Sequence, residues 1–413
     1  MTFNDDCVKK SDEKKFQEFE LIELGKVSKI SMGQSPPSKY YNYEGDGIPF
    51  LQGVKTFGNK YPKYDTWVTR PLKIATKGEV LFSVRAPVGE VNIATTDVCI
   101  GRGLASISGY DNEFIYYLLK SFGQKVIDRQ TGTVFGAVGR EILESTKLPI
   151  PSQTEQKAIA KILFDLDAKI ELNLKVNNSL ESIAHAIFKH WFIDFEFPNE
   201  DRKPYKSSGG EMVDSELGKV PKKWTIKTLD GIANFLNGLA LQRYPAITEN
   251  DYLPVIKIKE MNYGISGSSD KASRDIPSEY IVHNGDVLFA WSGSLGVTIW
   301  CNGEGALNQH IFKISSNEYP KWFYYEWLLY YLPNFIEIAR DKATTMGHIQ
   351  RHHISESLVA VPDSNTLEIM NNVLKLIIDR IINLKVENDT LTKTRDLFLP
   401  SLISGKIRVP LEG

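Results

Sequence analysis

The six residues GEVLFS, from Gly78 to Ser83, return almost unchanged as GDVLFA, from Gly285 to Ala290. The match extends without a gap. KGEVLFSVRAPVGEVNIATTDVCIGRGLASI from Lys77 lies on NGDVLFAWSGSLGVTIWCNGEGALNQHIFKI from Asn284, so Gly78 meets Gly285, Gly89 meets Gly296 and Ile107 meets Ile314. Upstream, LGKVSKISMG from Leu24 lies on LDGIANFLNG from Leu229, and Pro49 on Pro254. Downstream, TGTVFGAVGREILESTKLPIP from Thr131 lies on KATTMGHIQRHHISESLVAVP from Lys342. The separation drifts from 205 to 207 to 211 residues, which two small insertions explain. A repeat this long is a duplicated domain, not a solenoid. The 413 residues also exceed one ordinary core. Whatever one half folds into, the other must fold into as well.

Each copy has two parts. Residues 17–150 and 222–361 are rich in Gly, aromatics and short β-branched runs such as VLFSV and VLFAW. They read as mixed domains of short strands and a few helices. Thr154–Phe192 and Thr366–Leu399 then contain no Gly or Pro. At about 1.5 Å per residue, the first makes a helix of roughly 58 Å. Both carry a heptad-like seam with spacings of four and three. In the first it is Ile159, Leu163, Leu166, Ile170, Asn173, Asn177, Leu180, Ala184, Ile187 and Trp191. In the second it is Met370, Leu374, Ile377, Ile381, Leu384, Asn388, Leu391, Arg395 and Phe398. Asn177 and Asn388 hold matching places; an Asn in an apolar seam costs stability and penalises wrong registers. Two such helices pack most simply on each other. The alternative, each on its own domain, would leave an overhang. FPNEDRKPYKSSGGEMVDSELGKVPKKW reads as the linker between halves. The expected fold is α+β: a lead at 1–16, a domain at 17–150, a long helix at 151–197, a linker at 198–221, a second domain at 222–361, a second helix at 362–404 and a tail at 405–413.

Composition narrows the function. No apolar run is long enough to span a bilayer, and MTFNDDCVKKSDEKKF lacks the apolar stretch of a secretory signal, reading instead as disordered. Cys7, Cys99 and Cys301 are odd in number and form no CxxC, so neither a disulfide framework nor a cysteine zinc site is expected. Together these favour the cytoplasm. A formal net charge of -2 argues against a stand-alone DNA binder, whose affinity rests on neutralising phosphates. It leaves room for one that shares its DNA with a partner.

Catalytic motifs are scarce. SPPS at Ser35–Ser38 has Ser where an adenine methyltransferase motif needs Asn or Asp before the prolines and an aromatic after them. No glycine-rich strand-to-helix turn suggests a methyl-donor or nucleotide site, and Gly218–Lys219 lacks the P-loop spacing. In GHIQRHHISES, His348 and His352 stand at helical spacing beside His353, which suits a metal, a DNA-facing basic loop or plain surface. KTFGNKYPKYDTW sets Lys55, Lys60 and Lys63 among Phe57, Tyr61, Tyr64 and Trp67. Cations among aromatics suit phosphate contact and base packing, as well as a solvated loop with its rings tucked in. Arg140 and Arg351 follow small and hydroxyl residues at equivalent positions. That pattern suits a phosphate or a simple helix entry.

The duplicated GEVLFS/GDVLFA domain, LPIPSQTEQKAIAKIL (Pro149, Pro151, Glu155, Gln156, Ile159), the helix end HWFIDFEF and the junction KPYKSSGGEMVDSELGKVPKKW together resemble the specificity subunit of type I restriction-modification systems. The resemblance spans nearly the whole chain. The second copy departs from it: VAVPDSNTLEIM has no Glu-Gln after Pro362.

The resemblance implies two target recognition domains, each reading half of a split double-stranded DNA site, and two long helices paired antiparallel as a ruler. Half-site centres would then lie about one DNA turn, ~34–36 Å, apart. It implies no catalysis and no metal or cofactor in this chain. Two modification subunits would bring S-adenosylmethionine and adenine N6 methylation; restriction subunits would bring ATP, Mg and cleavage. Two diverged halves can read an asymmetric site where a true dimer reads a palindrome. The candidate DNA contacts are Lys39, Lys55, Lys60, Lys63, Arg85, Arg102, Thr133 and Arg140 in the first copy, and Arg243, Lys257, Lys259, Gln309, Thr344, His348 and Arg351 in the second. The rivals are a single-chain methyltransferase and a coiled-coil adaptor that touches no DNA.

Overall fold

The computed structural model describes residues 18–128, 137–341 and 347–410. The chain divides into two compact units, one holding the described residues up to Lys169 and from Thr392 onward, the other Ile170–Leu391.

In the first unit, a four-stranded antiparallel sheet runs in the order Ser28–Met32, Leu104–Gly109, Val80–Ser83, Val91–Ile93. A second sheet has the order Tyr41–Asn42, Trp67–Val68, Ile48–Leu51, Val98–Ile100, Ile74–Ala75, with a parallel pair between Phe50 and Cys99. The second unit repeats this plan. Its antiparallel sheet is Asn234–Asn237, Ile311–Ser315, Val287–Ala290, Gly296–Ile299, and its mixed sheet is Lys271–Ala272, Leu253–Ile256, Gly305–Leu307, Ile281–Val282.

The repeated hexapeptide now has a physical reason. Val80–Ser83 and Val287–Ala290 are buried throughout. Successive side chains of a strand point to opposite faces. Val80 and Phe82 face the core under the Asn112–Asp128 helix, while Leu81 faces the core of the mixed sheet. In the other unit Val287 and Phe289 face the helix-side core, and Leu288 and Ala290 the sheet-side core. A strand with cores on both sides needs an unbroken apolar run. The glycine before it turns the chain at φ 87° (Gly78) and 91° (Gly285), where other residues are strained.

The first long helix, Gln153–Phe188 (36 residues), runs on through a π-helical turn at Lys189–Ile193 (5 residues). Together these equal the 41 residues of the second, Ser364–Ser404. Within each unit the two pair antiparallel. In the first unit Asp167 meets Arg395, and Glu155 meets Arg408 beyond the helix end. In the second, Asn173 meets Asn388 and Glu181 meets Lys385. Of the expected seam, Ile159, Leu163, Asn173, Asn177, Ala184, Met370, Leu374, Ile381, Leu384 and Asn388 are buried; Leu166, Ile170, Leu180, Ile187, Trp191, Ile377, Leu391 and Arg395 are half-buried. Phe398 corrects the expectation: it is 39% exposed, and Leu399 and Leu402 take its place inside. A straight helix drifts about 20° per heptad, so a strict four-three count slips by one residue near its end.

Two further readings change. Residues 198–221 are more than a linker: Met212–Ser215 and Gly218–Pro221 form a hairpin, and Val220 is buried in the second unit's core. At the second helix start, Asp363 stands where Ser152 does in the first and caps the same position, accepting from the Thr366 backbone N–H and hydroxyl as Ser152 Oγ accepts from the Glu155 N–H. Thr366 takes the place of Glu155, whose carboxylate accepts in return from the Ser152 N–H, so the second helix keeps one arm of the capping box.

Candidate nucleic-acid interface

Three loops come together in each unit. In the first, Gly33 N–H donates to Leu104 O and Gln34 N–H to Ile100 O, while Gly101 N–H donates to Leu51 O and Gly103 N–H to Gln52 O. In the second, Gly238 N–H donates to Ile311 O, Leu239 N–H to Leu307 O and Asn308 N–H to Ile256 O. The approach is so close that only glycine fits. A Cβ on Gly33 would lie 2.2 Å from Gly101 O, and one on Gly238 2.2 Å from Asn308 O. Both glycines close the aligned segments SMG and LNG.

The side chains on this shared scaffold differ. The first unit presents Ser35, Gln52 and Arg102; Ser35 Oγ donates to Gln52 Oε1 at 3.0 Å and accepts from the Arg102 N–H at 3.2 Å. The repeat puts Ala240, Lys257 and Gln309 in their places. Lys257 is half-buried and ion-paired with Asp270, and Gln309 lies 3.3 Å from the His310 ring nitrogen. SPPS is therefore a loop-tying segment whose serine joins two other loops.

The expected contacts divide. Arg102 and Gln309 sit on the three-loop cluster, and Lys257 at its edge. Lys39 and Lys55 lie in short turns that leave the same loops, at Ser38–Tyr40 and Val54–Thr56, and Lys55 keeps 91% of its side chain exposed. Arg243 occupies the matching turn Leu241–Arg243, and Lys259 is exposed with its ammonium 3.1 Å from Ser268 Oγ. His348 reaches the second cluster from the far end of the copy: it bridges to Ser292, whose hydroxyl lies 3.1 Å from His310 Nδ1. In the first unit Val138 N–H donates to Val84 O, which brings the equivalent stretch alongside exposed Arg85. Lys63 is exposed on the loop after Lys60. Thr133 and Thr344 lie outside the described residues.

Lys60 is corrected. It is 5% exposed, its ammonium is 3.7 Å from Asp167 Oδ2, and it stands 3.7 Å over the Phe164 ring. A cation committed to a buried carboxylate is not offered to phosphate. Composition could not separate it from exposed Lys55, because the partner lies more than a hundred residues away. Arg140 and Arg351 begin the short helices Arg140–Ser145 and Arg351–Ser355, each beside an acid. Arg140 pairs with Glu144 at 2.7 Å, and Arg351 lowers the Asp230 carboxyl after burial, Ser355 and Thr228 have acted on it. His353 is buried, accepts from the Gln350 N–H and packs its ring 4.0 Å from that of His352, while His348 bridges to Ser292. Among the described residues no group of three His, Cys, Asp or Glu is placed to hold a metal, and no helix is long and apolar enough to cross a membrane.

Sequence reasoning passed over Gln52, Arg70, Asn237 and Trp291. Arg70 stands 5.0 Å over the Tyr40 ring beside the Lys39 turn, and Trp291 Nε1 donates to Asn237 Oδ1 next to Gly238. The conspicuous pair Gly33 and Gly238 was the available signal.

Comparison with known proteins agrees with this plan. The family model described as the type I restriction modification DNA specificity domain matches residues 14–182 and 221–393. A Methanocaldococcus jannaschii protein assigned as the MjaX type I restriction enzyme specificity subunit is 46% identical over 177 residues, 41% of this chain and 42% of that relative. The MjaIX specificity subunit of the same organism is 28% identical over 420 residues, covering 95% of this chain and 94% of its own. The crystal structure of the type I restriction-modification S subunit from M. genitalium has the same fold, with a TM-score of 0.56 at 17% identity over 93% of this chain and 96% of its own.

Proposed function

Because the chain belongs to the type I restriction-modification DNA specificity family, we propose that it reads a double-stranded DNA site in two halves, one unit to each, and that its paired helices scaffold modification and restriction subunits. The observation that carries this reading is the three-loop cluster. One backbone scaffold, held tight at Gly33 and Gly238, presents Ser35, Gln52 and Arg102 in one unit and Ala240, Lys257 and Gln309 in the other. Polar side chains on a rigid frame can hydrogen-bond to base edges, and different sets select different bases. Arg is suited to guanine O6 and N7, and Gln to adenine N6 and N7.

The flanking cations Lys39, Lys55, Lys63, Arg85, Arg243, Lys259 and His348 supply phosphate contacts. Arg140 and Arg351 do so after exchanging their carboxylate partners. The net charge of -2 fits a reader whose partners share the backbone contacts. Methyl transfer, with S-adenosylmethionine, and cleavage, with ATP and Mg, belong to those partners; two modification subunits would flank one specificity chain.

Replacing residues 222–361 by the matching domain of a relative tests the reading. The assembled complex should methylate a motif changed in one half and unchanged in the other, as methylome sequencing reports. A motif altered in both halves, or in neither, rules out independent readers.

A further inference from the structure

The junctions where the long helices end differ between units, and one of them leaves an open cavity. In the first unit, Arg408 follows the second helix. Its guanidinium lies 4.8 Å over the Phe19 ring, and Nε donates to Glu155 Oε1 at 2.9 Å. The repeat places Phe197, Trp224 and Thr366 where Arg408, Phe19 and Glu155 stand. In the second unit Phe197 stacks on Trp224 at 5.0 Å and on Tyr205 at 4.6 Å. Beside that stack is a cavity of about 360 Å³ lined by Phe197, Tyr205 and Trp224, with Glu200, Asp201 and Asp363 as its carboxylates and Lys223 as its one cation. Thr366, in the place of Glu155, lines it too.

Two features of this cavity ask for an occupant. Trp224 is 5% exposed, and its buried Nε1–H has no acceptor among the described residues. The rim is acidic over aromatic walls, which attracts a cation and repels phosphate. The first unit shows what that chemistry binds, since there an arginine lies between a ring and a carboxylate.

We propose that this cavity is a docking site for an arginine side chain presented by a partner protein. The guanidinium lies against the Phe197–Trp224 rings and meets Glu200 and Asp201. The site is separate from the three-loop clusters, and its test is independent of DNA reading.

The full chain labelled with 5-fluorotryptophan gives the readout, with the Trp224 resonance assigned through Trp224→Phe. Titration with N-acetyl-arginine N-methylamide should shift that resonance saturably. The response should weaken several-fold in the exposed double variant Glu200→Gln/Asp201→Asn and at high salt. N-acetyl-norleucine N-methylamide, which keeps the stem and carbonyl without the charge, should bind far more weakly. Equal shifts from the two compounds would reduce the cavity to a plain apolar pocket and overturn the proposal. No shift from either would overturn it as well.

Discussion

The two units bury equivalent helix positions in opposite chemistry. In the first, Asp167 accepts from Tyr117 Oη at 2.6 Å and from Arg395 Nη1 at 2.7 Å, with Lys60 at 3.7 Å. In the second, the repeat puts Ile378 for Asp167 and Ala184 for Arg395. Ile378 and Ala184 join a core with Phe188 and Trp327. Beside it the buried Glu326 faces the half-exposed His185 at 3.4 Å. Two copies of one architecture thus fill the same gap once with ions and once with hydrocarbon. The fold asks for volume there; it does not ask for charge. A buried ion pair is often no more stabilising than apolar residues of the same size, and losing one member is what costs.

That contrast predicts the largest effect. Asp167→Ala removes the buried carboxylate that Lys60 and Arg395 share, and should destabilise the first unit by about 3–5 kcal/mol. Hydrogen exchange, read separately on the amides of each unit, should show the loss confined to the first. The triple variant Lys60→Met/Asp167→Ile/Arg395→Ala copies the other unit's solution and should recover most of it. If the triple were as unstable as the single change, the ions would be doing something hydrocarbon cannot.

The seam sharpens the comparison. Asn388 accepts from Asn173 Nδ2 at 2.9 Å and donates to Ile170 O at 3.2 Å. The symmetry-related layer would join Asn177 to the residue equivalent to Asn173, which is Leu384. Asn177 is 3% exposed, and neither its amide nitrogen nor its oxygen has a partner among the described residues. One layer kept both polar members; its mate kept one. Asn177→Leu should therefore raise stability by about 1–3 kcal/mol, whereas Asn173→Leu should lower it, because it strands Asn388. Thermal melts of both variants decide the matter, and a destabilised Asn177→Leu would mean that Asn177 has a partner after all.

The smallest expected effect is the pH response. Burial, then the nearby Glu181, pushes the Glu326 carboxyl up, with His185 opposing. The Glu326 hydrogen bond in turn raises the His185 imidazole, against its partial burial. An acid whose folded pKa is raised costs stability once pH passes its unfolded value, near 4.5. A raised imidazole contributes stability below its unfolded value, near 6.5, and loses it as pH rises through the folded one. Both signs make the second unit weaker from mildly acidic to neutral pH. Asp167 behaves oppositely. Burial raises it, but Tyr117, Arg395 and Lys60 hold it below the usual carboxylate range, so its contribution is lost only as pH falls below about 3.8. Glu326→Gln should flatten the second unit's profile between pH 5 and 8 and leave the first unit's unchanged; a profile that did not change would put the pH dependence elsewhere.

Much of this was readable from order along the chain. The duplication pointed to two equivalent units, the runs VLFSV and VLFAW to strands, and the four-three apolar count to two long helices, because these patterns are local and repeat with the backbone's own period. Gly33 and Gly238 stood in plain sight at the ends of aligned segments. What the chain order could not settle was which polar groups meet. Lys60 and Lys55 are alike in sequence, yet one is held by Asp167 and the other is open to solvent. Asn177 and Asn388 occupy the same seam position, yet only Asn388 finds an amide opposite, in Asn173. Partners of this kind come from more than a hundred residues away. A charge or an amide gains or loses free energy according to what stands within about 4 Å of it, and that neighbourhood exists only once the tertiary structure has formed.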